Sequence, residues 1–281
     1  GAAAAGFALV YLLAALLGAR PRLRALLLGS AALVVVATPS AGFIALGVAT
    51  ERPYGQDGGV VQIPLALEKI LAGGSPYGAD YSDSILGKQA RVSSFWDQHG
   101  GNPILRHHAY LPGTHALMLP AYLLGKHTLG FFDFRLVTLL AWVLAAFLAS
   151  LLFEEPARRL TAAALVLVNP LVYWHQIFGA NDVILVALLL GALVLFRSGR
   201  VVWGAAVLGF ACATKQLAWP FAPFLLLTVS GAESLRDLFR PAALRRLARP
   251  LAVLLLVFLA VVAPIAARDF RAFWGDIVVY N

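Results

Sequence analysis

Four groups of residues in this chain are of a type and spacing that could do chemistry. Asp57 stands directly before Gly58-Gly59, in the long stretch from Glu51 to Pro112. The glycine pair lets the backbone turn sharply, and a carboxylate held there could take a proton from a hydroxyl group. Lys215 interrupts an apolar run, Ala211-Cys212-Ala213-Thr214-Lys215-Gln216-Leu217-Ala218-Trp219-Pro220. An ionisable group in such a run usually faces a cavity, and an ammonium there suits an anionic group such as phosphate; the plainer alternative is a lysine that snorkels to the interface. Asn181-Asp182 follows Gly179-Ala180 at an expected helix start. Both residue types cap helices routinely, but Asp182 could also bind hydroxyls or a cation. Arg106-His107-His108 and Tyr110 precede Pro112, and an arginine offers bidentate contacts to phosphate.

Other chemistries lack their signatures. His107 and His108 are adjacent and should point to different faces, and His115 and His127 complete no ligand spacing such as HExxH. No metal is therefore expected. Asp80-Tyr81-Ser82-Asp83 reads as a turn. Cys212 is the one cysteine, which excludes a disulfide framework or thiolate cluster and fits a small buried apolar residue. No GxxxxGK[ST], GxGxxG or GxSxG pattern is present, so a nucleotide donor on a cytosolic fold is not expected and no cofactor is implied.

The elements that must position these residues are membrane helices. The chain of 281 residues is 60% hydrophobic and 13% charged, against roughly 25% charged for a soluble domain. The apolar runs are long and lack the alternation of a membrane barrel. Ala2–Gly18 is a short run. Spans are expected over Ala25–Gly47, Phe134–Phe153, Leu160–Phe178, Val183–Phe196 and Leu251–Ala267, with two shorter helices, Val201–Thr214 and Gln216–Val229, on either side of Lys215. Ile63–Leu71, with Pro64 near its start and Glu68-Lys69 opposite Ala66, Leu67, Ile70 and Leu71, predicts a helix lying along the interface. The fold class is thus all-α: a polytopic transmembrane helix bundle with external interfacial helices in its first long loop. Trp96, Trp174, Trp219 and Trp274 fit interfacial anchors. The chain runs from Gly1 to Val278-Val279-Tyr280-Asn281 with no closing element; it reads as a single transmembrane domain, a portion of a longer protein.

Positive charge near span ends sets orientation. The short basic loops 19–24, 154–159, 197–200 and 231–250 hold 12 Lys and Arg against 4 Asp and Glu, and the rest of the chain is balanced at 10 and 10. The whole excess of +8 falls on one face, the cytoplasmic one, where it would meet anionic lipid headgroups. Nucleic acid is not an expected partner, because the arginines are scattered without a stacking platform. Loop 51–133, Asn181-Asp182, Lys215 and the tail 268–281 fall on the opposite face. This also requires Tyr110–Leu124 to be interfacial or re-entrant.

Together these pieces resemble the polytopic, lipid-phosphate-sugar-dependent glycosyltransferases of the GT-C fold, most closely the bacterial mannosyltransferase-like branch of family 87. The residues that carry the resemblance are Asp57 with Leu65–Leu71, Ala72-Gly73-Gly74-Ser75-Pro76-Tyr77, Tyr110-Leu111-Pro112 with Pro120, Gly179-Ala180-Asn181-Asp182, and Gly209-Phe210-Ala211-Cys212-Ala213-Thr214-Lys215. Ala2–Gly18 lies ahead of where the family's first span normally begins. The resemblance implies a multi-pass protein of the inner or plasma membrane with an active site on the extracytoplasmic side. It implies transfer of a sugar from a polyprenyl-phosphate donor to a lipid or glycan acceptor, with Asp57 as the catalytic acid of the first external loop. A lipid phosphate is already a good leaving group, so one carboxylate suffices for an inverting displacement, whereas glycoside hydrolysis usually needs two. Lys215 and Arg106 would meet the phosphate, Asp182 and Tyr77 the sugar or acceptor, and Asn181, His107 and Tyr110 would be further substrate contacts. A transporter or flippase for a lipid-linked or anionic solute shares the buried lysine and broken helix, but no repeated half is visible. A non-catalytic subunit of a membrane complex is a third reading.

Overall fold

The computed structural model describes residues 2–52, 59–90, 102–231, 234, 236, 237 and 240–280. Every regular element among them is helical. Helix α1 (Ala2–Leu16) is followed by α2 (Pro21–Thr50), one of two helices long and apolar enough to cross a membrane. Proline at its first position supplies a preset φ where no N–H is needed, and Glu51 ends it in the left-handed conformation. Then come α3 (Gly59–Leu71), α4 (Ile85–Ala90), a turn of 3-10 helix (Pro103–Leu105) and α5 (Pro112–Thr128). Helix α3 starts four residues before the expected Ile63, so that Pro64 falls inside it. The burial of Val60, Val61 and Gln62 outweighs the hydrogen bond that proline forfeits.

The second half packs more regularly. Helices α6 (Arg135–Ser150), α7 (Pro156–Leu167), α8 (Pro170–Phe178), α9 (Asp182–Arg197), α10 (Val201–Thr214), α11 (Phe221–Ser230) and α12 (Pro241–Ala266) follow in order. Helix α12 is the second candidate span. It begins ten residues ahead of the expected Leu251, because Pro241 starts it and the alanine-, leucine- and arginine-rich segment behind is a good helix former. The span expected over Leu160–Phe178 is instead two helices bent by 46°. Asn169 caps the second by accepting the Leu171 N–H at 3.0 Å, and Pro170 cannot continue the first helix's ladder. Helix α9 packs between α6 and α10, and α10 packs on α12. Large apolar side chains such as Leu140, Phe147, Leu256 and Leu259 remain exposed on these helices.

Three buried clusters position the site. Val36, Ile63, Leu67, Met118, Phe134, Trp142 and Ile184 join α2, α3, α5, α6 and α9. Leu185, Ala192, Leu208, Ala211 and Leu254 join α9, α10 and α12. Tyr77, Leu111, Ala213, Val262, Phe273 and Ile277 tie the external loop to the chain's last segment, α13 (Phe270–Trp274) and the π-helical turn Gly275–Val279. One buried ion pair also contributes. Arg135 Nη1 donates to Asp133 Oδ2 at 2.8 Å and Nε to the Ile177 carbonyl at 3.0 Å, fastening the start of α6 to the end of α8.

Candidate active site

Lys215 sits where the sequence places it, at a break in a broken helix. Its extended backbone ends α10 and leads into the 3-10 turn Gln216–Ala218. The Nζ donates to Asn181 Oδ1 at 2.9 Å and to Asp182 Oδ1. Asn181 is buried, while the Lys215 and Asp182 side chains keep 29% and 45% of their exposure. The three polar residues singled out in two separate motifs therefore form one partly exposed cluster. The Lys215 ammonium is thus shared between an amide oxygen and a carboxylate.

Helix α5 holds this cluster from the side. Thr114 Oγ1 donates to the Thr214 carbonyl at 2.9 Å. A Cβ on Gly113 would lie 2.5 Å from the Ala213 carbonyl oxygen, so only glycine permits the two backbones to approach this closely. Gly59, which opens α3, abuts the Tyr110 hydroxyl and the Gly179 carbonyl. The start of α3 thus lies against the same Gly179–Asp182 corner that carries Asn181. Asp57 itself lies outside the described residues.

The loop residues gather around a carboxylate that sequence reasoning passed over. Asp276, 3% exposed, accepts the Gly78 N–H at 2.8 Å and the His108 N–H at 3.1 Å on Oδ2. Its Oδ1 meets His107 Nδ1 at 2.8 Å. Tyr280 stacks on the His107 ring, with centroids 4.4 Å apart and planes 12° from parallel. Tyr77 is buried, donates its hydroxyl to the Tyr110 carbonyl at 2.9 Å and packs edge-on to Phe273. It is a strut of the loop, and burial, then Asp276, then Tyr81 push its phenol well above the usual range. Arg106 is exposed beyond the 3-10 turn, close enough to Asp80 to help lower that carboxyl's pKa; the hydrogen bond from Ser82 is the larger cause. Gln62 clamps this segment from α3 by donating to the Ile104 and His107 carbonyls at 3.0 and 2.8 Å.

His107 and His108 do face different ways. His108 Nε2 meets His115 Nε2 at 2.6 Å, and both rings are fully buried. Burial pushes the His115 imidazole down to about 3; burial and the neighbouring His115 push His108 well below its ordinary value. No group of three potential metal ligands occurs among the described residues. The loop cluster joins the lysine cluster through Gln216, whose Nε2 donates to the Ile277 carbonyl at 3.2 Å. A signal for Asp276 was present: it lies in Phe273-Trp274-Gly275-Asp276-Ile277-Val278-Val279, an acid in an apolar run, the same feature that marked Lys215.

Residues 108–231 match the MptA_B family model, described as alpha-(1->6)-mannopyranosyltransferase, N-terminal domain. This match supports a glycosyltransferase enzyme and agrees with the GT-C, family 87 resemblance. The matched stretch takes in Tyr110, Asn181, Asp182 and Lys215; Asp57, Tyr77, Arg106, His107 and Asp276 lie outside it. No curated protein and no solved structure matches the chain.

Proposed function

We propose that the protein is a multi-pass, GT-C-type membrane glycosyltransferase. It moves a mannosyl-type sugar from a polyprenyl-phosphate donor to an acceptor hydroxyl on the extracytoplasmic face, with inversion. The observation that carries this reading is the convergence of Lys215, Asn181 and Asp182 into one partly exposed polar cluster on apolar helices, within the stretch that matches the mannosyltransferase family model. Asp57 takes the proton of the acceptor hydroxyl as its oxygen attacks the anomeric carbon. The bond to the lipid phosphate breaks and its electron pair leaves with the phosphate oxygen. Lys215 stabilises the charge developing there, with Arg106 as a second cation drawn in from the loop. Asp182, Asn181 and Tyr110 contact hydroxyls, and the described chain acts as a single transmembrane domain.

A lipid substrate is supported by the cavity on the flank of α2. One part, about 440 Å3, is lined by Glu51, Glu68, Lys126 and Asp133 among apolar residues. It shares Val48 and Phe131 with an apolar trough of about 450 Å3 that runs beside Ala41, Ile44 and Ala45. A polar recess beside an apolar trough suits an amphiphile.

The test is incubation of purified protein with radiolabelled polyprenyl-phosphate mannose and a mannoside acceptor. Wild type should form product. Asp57→Asn should lose at least about a thousandfold of turnover, and Lys215→Met about a hundredfold, with unchanged thermal unfolding for Asp57→Asn. Unaltered turnover of Asp57→Asn would remove that residue as the base. Absence of product with movement of the lipid across the bilayer would favour a transporter.

A further inference from the structure

Asp276 and His107 have the geometry of a carboxylate–imidazole dyad. The two oxygens of Asp276 have separate tasks. Oδ2 takes two backbone N–H groups, from Gly78 and His108, which fixes the carboxylate in place. Oδ1 meets His107 Nδ1 at 2.8 Å. A carboxylate accepts only, so Nδ1 must carry the proton, and in the neutral ring Nε2 then bears a lone pair. Tyr280 fixes the plane of the ring by stacking on one face. Among the described residues no hydrogen bond engages Nε2, and 39% of the His107 side chain is exposed. The imidazole is thus held at one edge and one face, with its other nitrogen presented outward as an acceptor.

We infer that Asp276 is a positioning residue that sets the tautomer of His107, and that His107 Nε2 accepts a hydrogen bond from a hydroxyl of the carbohydrate substrate. This rests on the glycosyltransferase reading for the identity of the ligand. The placement fits that use. Asp276 and Lys215 are neighbours of the two residues joined by the Gln216–Ile277 bond, and Arg106 directly precedes the histidine. An acceptor-only nitrogen discriminates: it takes a hydrogen bond from a hydroxyl and offers none to a phosphate oxygen. His107 therefore belongs to the sugar, and Lys215 to the anion.

The geometry also supplies an unusually clean variant. In Asp276→Asn the amide oxygen can occupy the Oδ2 position and keep both backbone N–H groups. The amide nitrogen then replaces Oδ1 and donates to His107 Nδ1. This drives the proton to Nε2 and turns the acceptor into a donor, while the hydrogen bonds from Gly78 and His108 are kept. The test uses the full chain in lipid nanodiscs, labelled with 15N-histidine, titrated with an alkyl mannoside and separately with an alkyl phosphate. In wild type the His107 nitrogens should report Nδ1–H, and Nε2 should shift with mannoside but not with phosphate. In Asp276→Asn they should report Nε2–H, and mannoside affinity should fall about tenfold while thermal unfolding stays unchanged. His107→Gln, whose amide oxygen can still accept, should retain more affinity than His107→Leu. An Nε2–H tautomer in wild type, a phosphate-induced shift, or unchanged mannoside affinity in Asp276→Asn and His107→Leu would each overturn the inference. None of these readouts depends on turnover, so a protein that binds mannoside through His107 but transfers no sugar would cost the glycosyltransferase reading and spare the dyad.

Discussion

Buried and half-buried polar residues in this chain are used in different ways. Lys215 is compensated by Asn181 and Asp182 yet remains accessible. His108 and His115 are sealed, and their Nδ1 atoms have no partner among the described residues. A sealed neutral pair of this kind makes stability depend on pH. Both imidazoles titrate lower in the folded protein than in the unfolded chain. Between the unfolded value of 6.5 and the folded value of about 3 for His115, the unfolded chain binds more protons. Stability is therefore complete above the unfolded value and is lost as pH falls through this window. At pH 5, His115 alone should cost about 2 kcal/mol relative to pH 7.5. Thermal unfolding in detergent across this range checks it: a lower midpoint at pH 5 in wild type, and a shallower dependence in His115→Gln.

The elements meet through backbones as much as through side chains. Helix α5 reaches Lys215 only because Gly113 lets it touch the end of α10. Gly113→Ala would place a methyl carbon 2.5 Å from the Ala213 carbonyl oxygen and 2.8 Å from the Thr214 nitrogen, atoms that cannot swing aside. The expected cost is about 2 kcal/mol, with loss of the Thr114–Thr214 hydrogen bond and a displaced Lys215. Unfolding midpoints and turnover should fall together. A Gly130→Ala control, where a Cβ meets nothing but φ is +75°, should cost less, about 1 kcal/mol. At this scale the apolar runs hid the helix starts. Pro156, Pro170 and Pro241 each open a helix, whereas the apolar runs put starts at Leu160 and Leu251 and no break at Pro170; the start of α3 at Gly59 depends on the burial of Val60 and Val61 and on Gln62 reaching the Ile104 and His107 carbonyls. The bend at Asn169 shows the opposite error, one apolar run that makes two helices.

At the scale of the whole molecule, orientation rests on charge. The four basic loops carry the entire excess, so Ser198, in the loop after α9, and Ser82, in the loop between α3 and α4, should lie on opposite faces. Single cysteines at these positions in a Cys212→Ala background test this in intact cells. A membrane-impermeant maleimide should label Ser82→Cys directly, and Ser198→Cys only after permeabilisation. Labelling of both in intact cells would remove the topology, and with it the extracytoplasmic site.

The sequence alone determined that the protein is helical and apolar enough for a membrane, and where its charge lies. These properties depend on composition and local pattern. That Lys215 would find Asn181 and Asp182 was only an expectation of shared sidedness. Tertiary packing alone decided that Asp276 would reach back to Gly78, His107 and His108, and that His108 would seek His115. The partners of Asp276 lie 168 to 198 residues away and leave no periodicity to read, because a carboxylate's choice of donors is settled by which backbones the buried apolar clusters bring together.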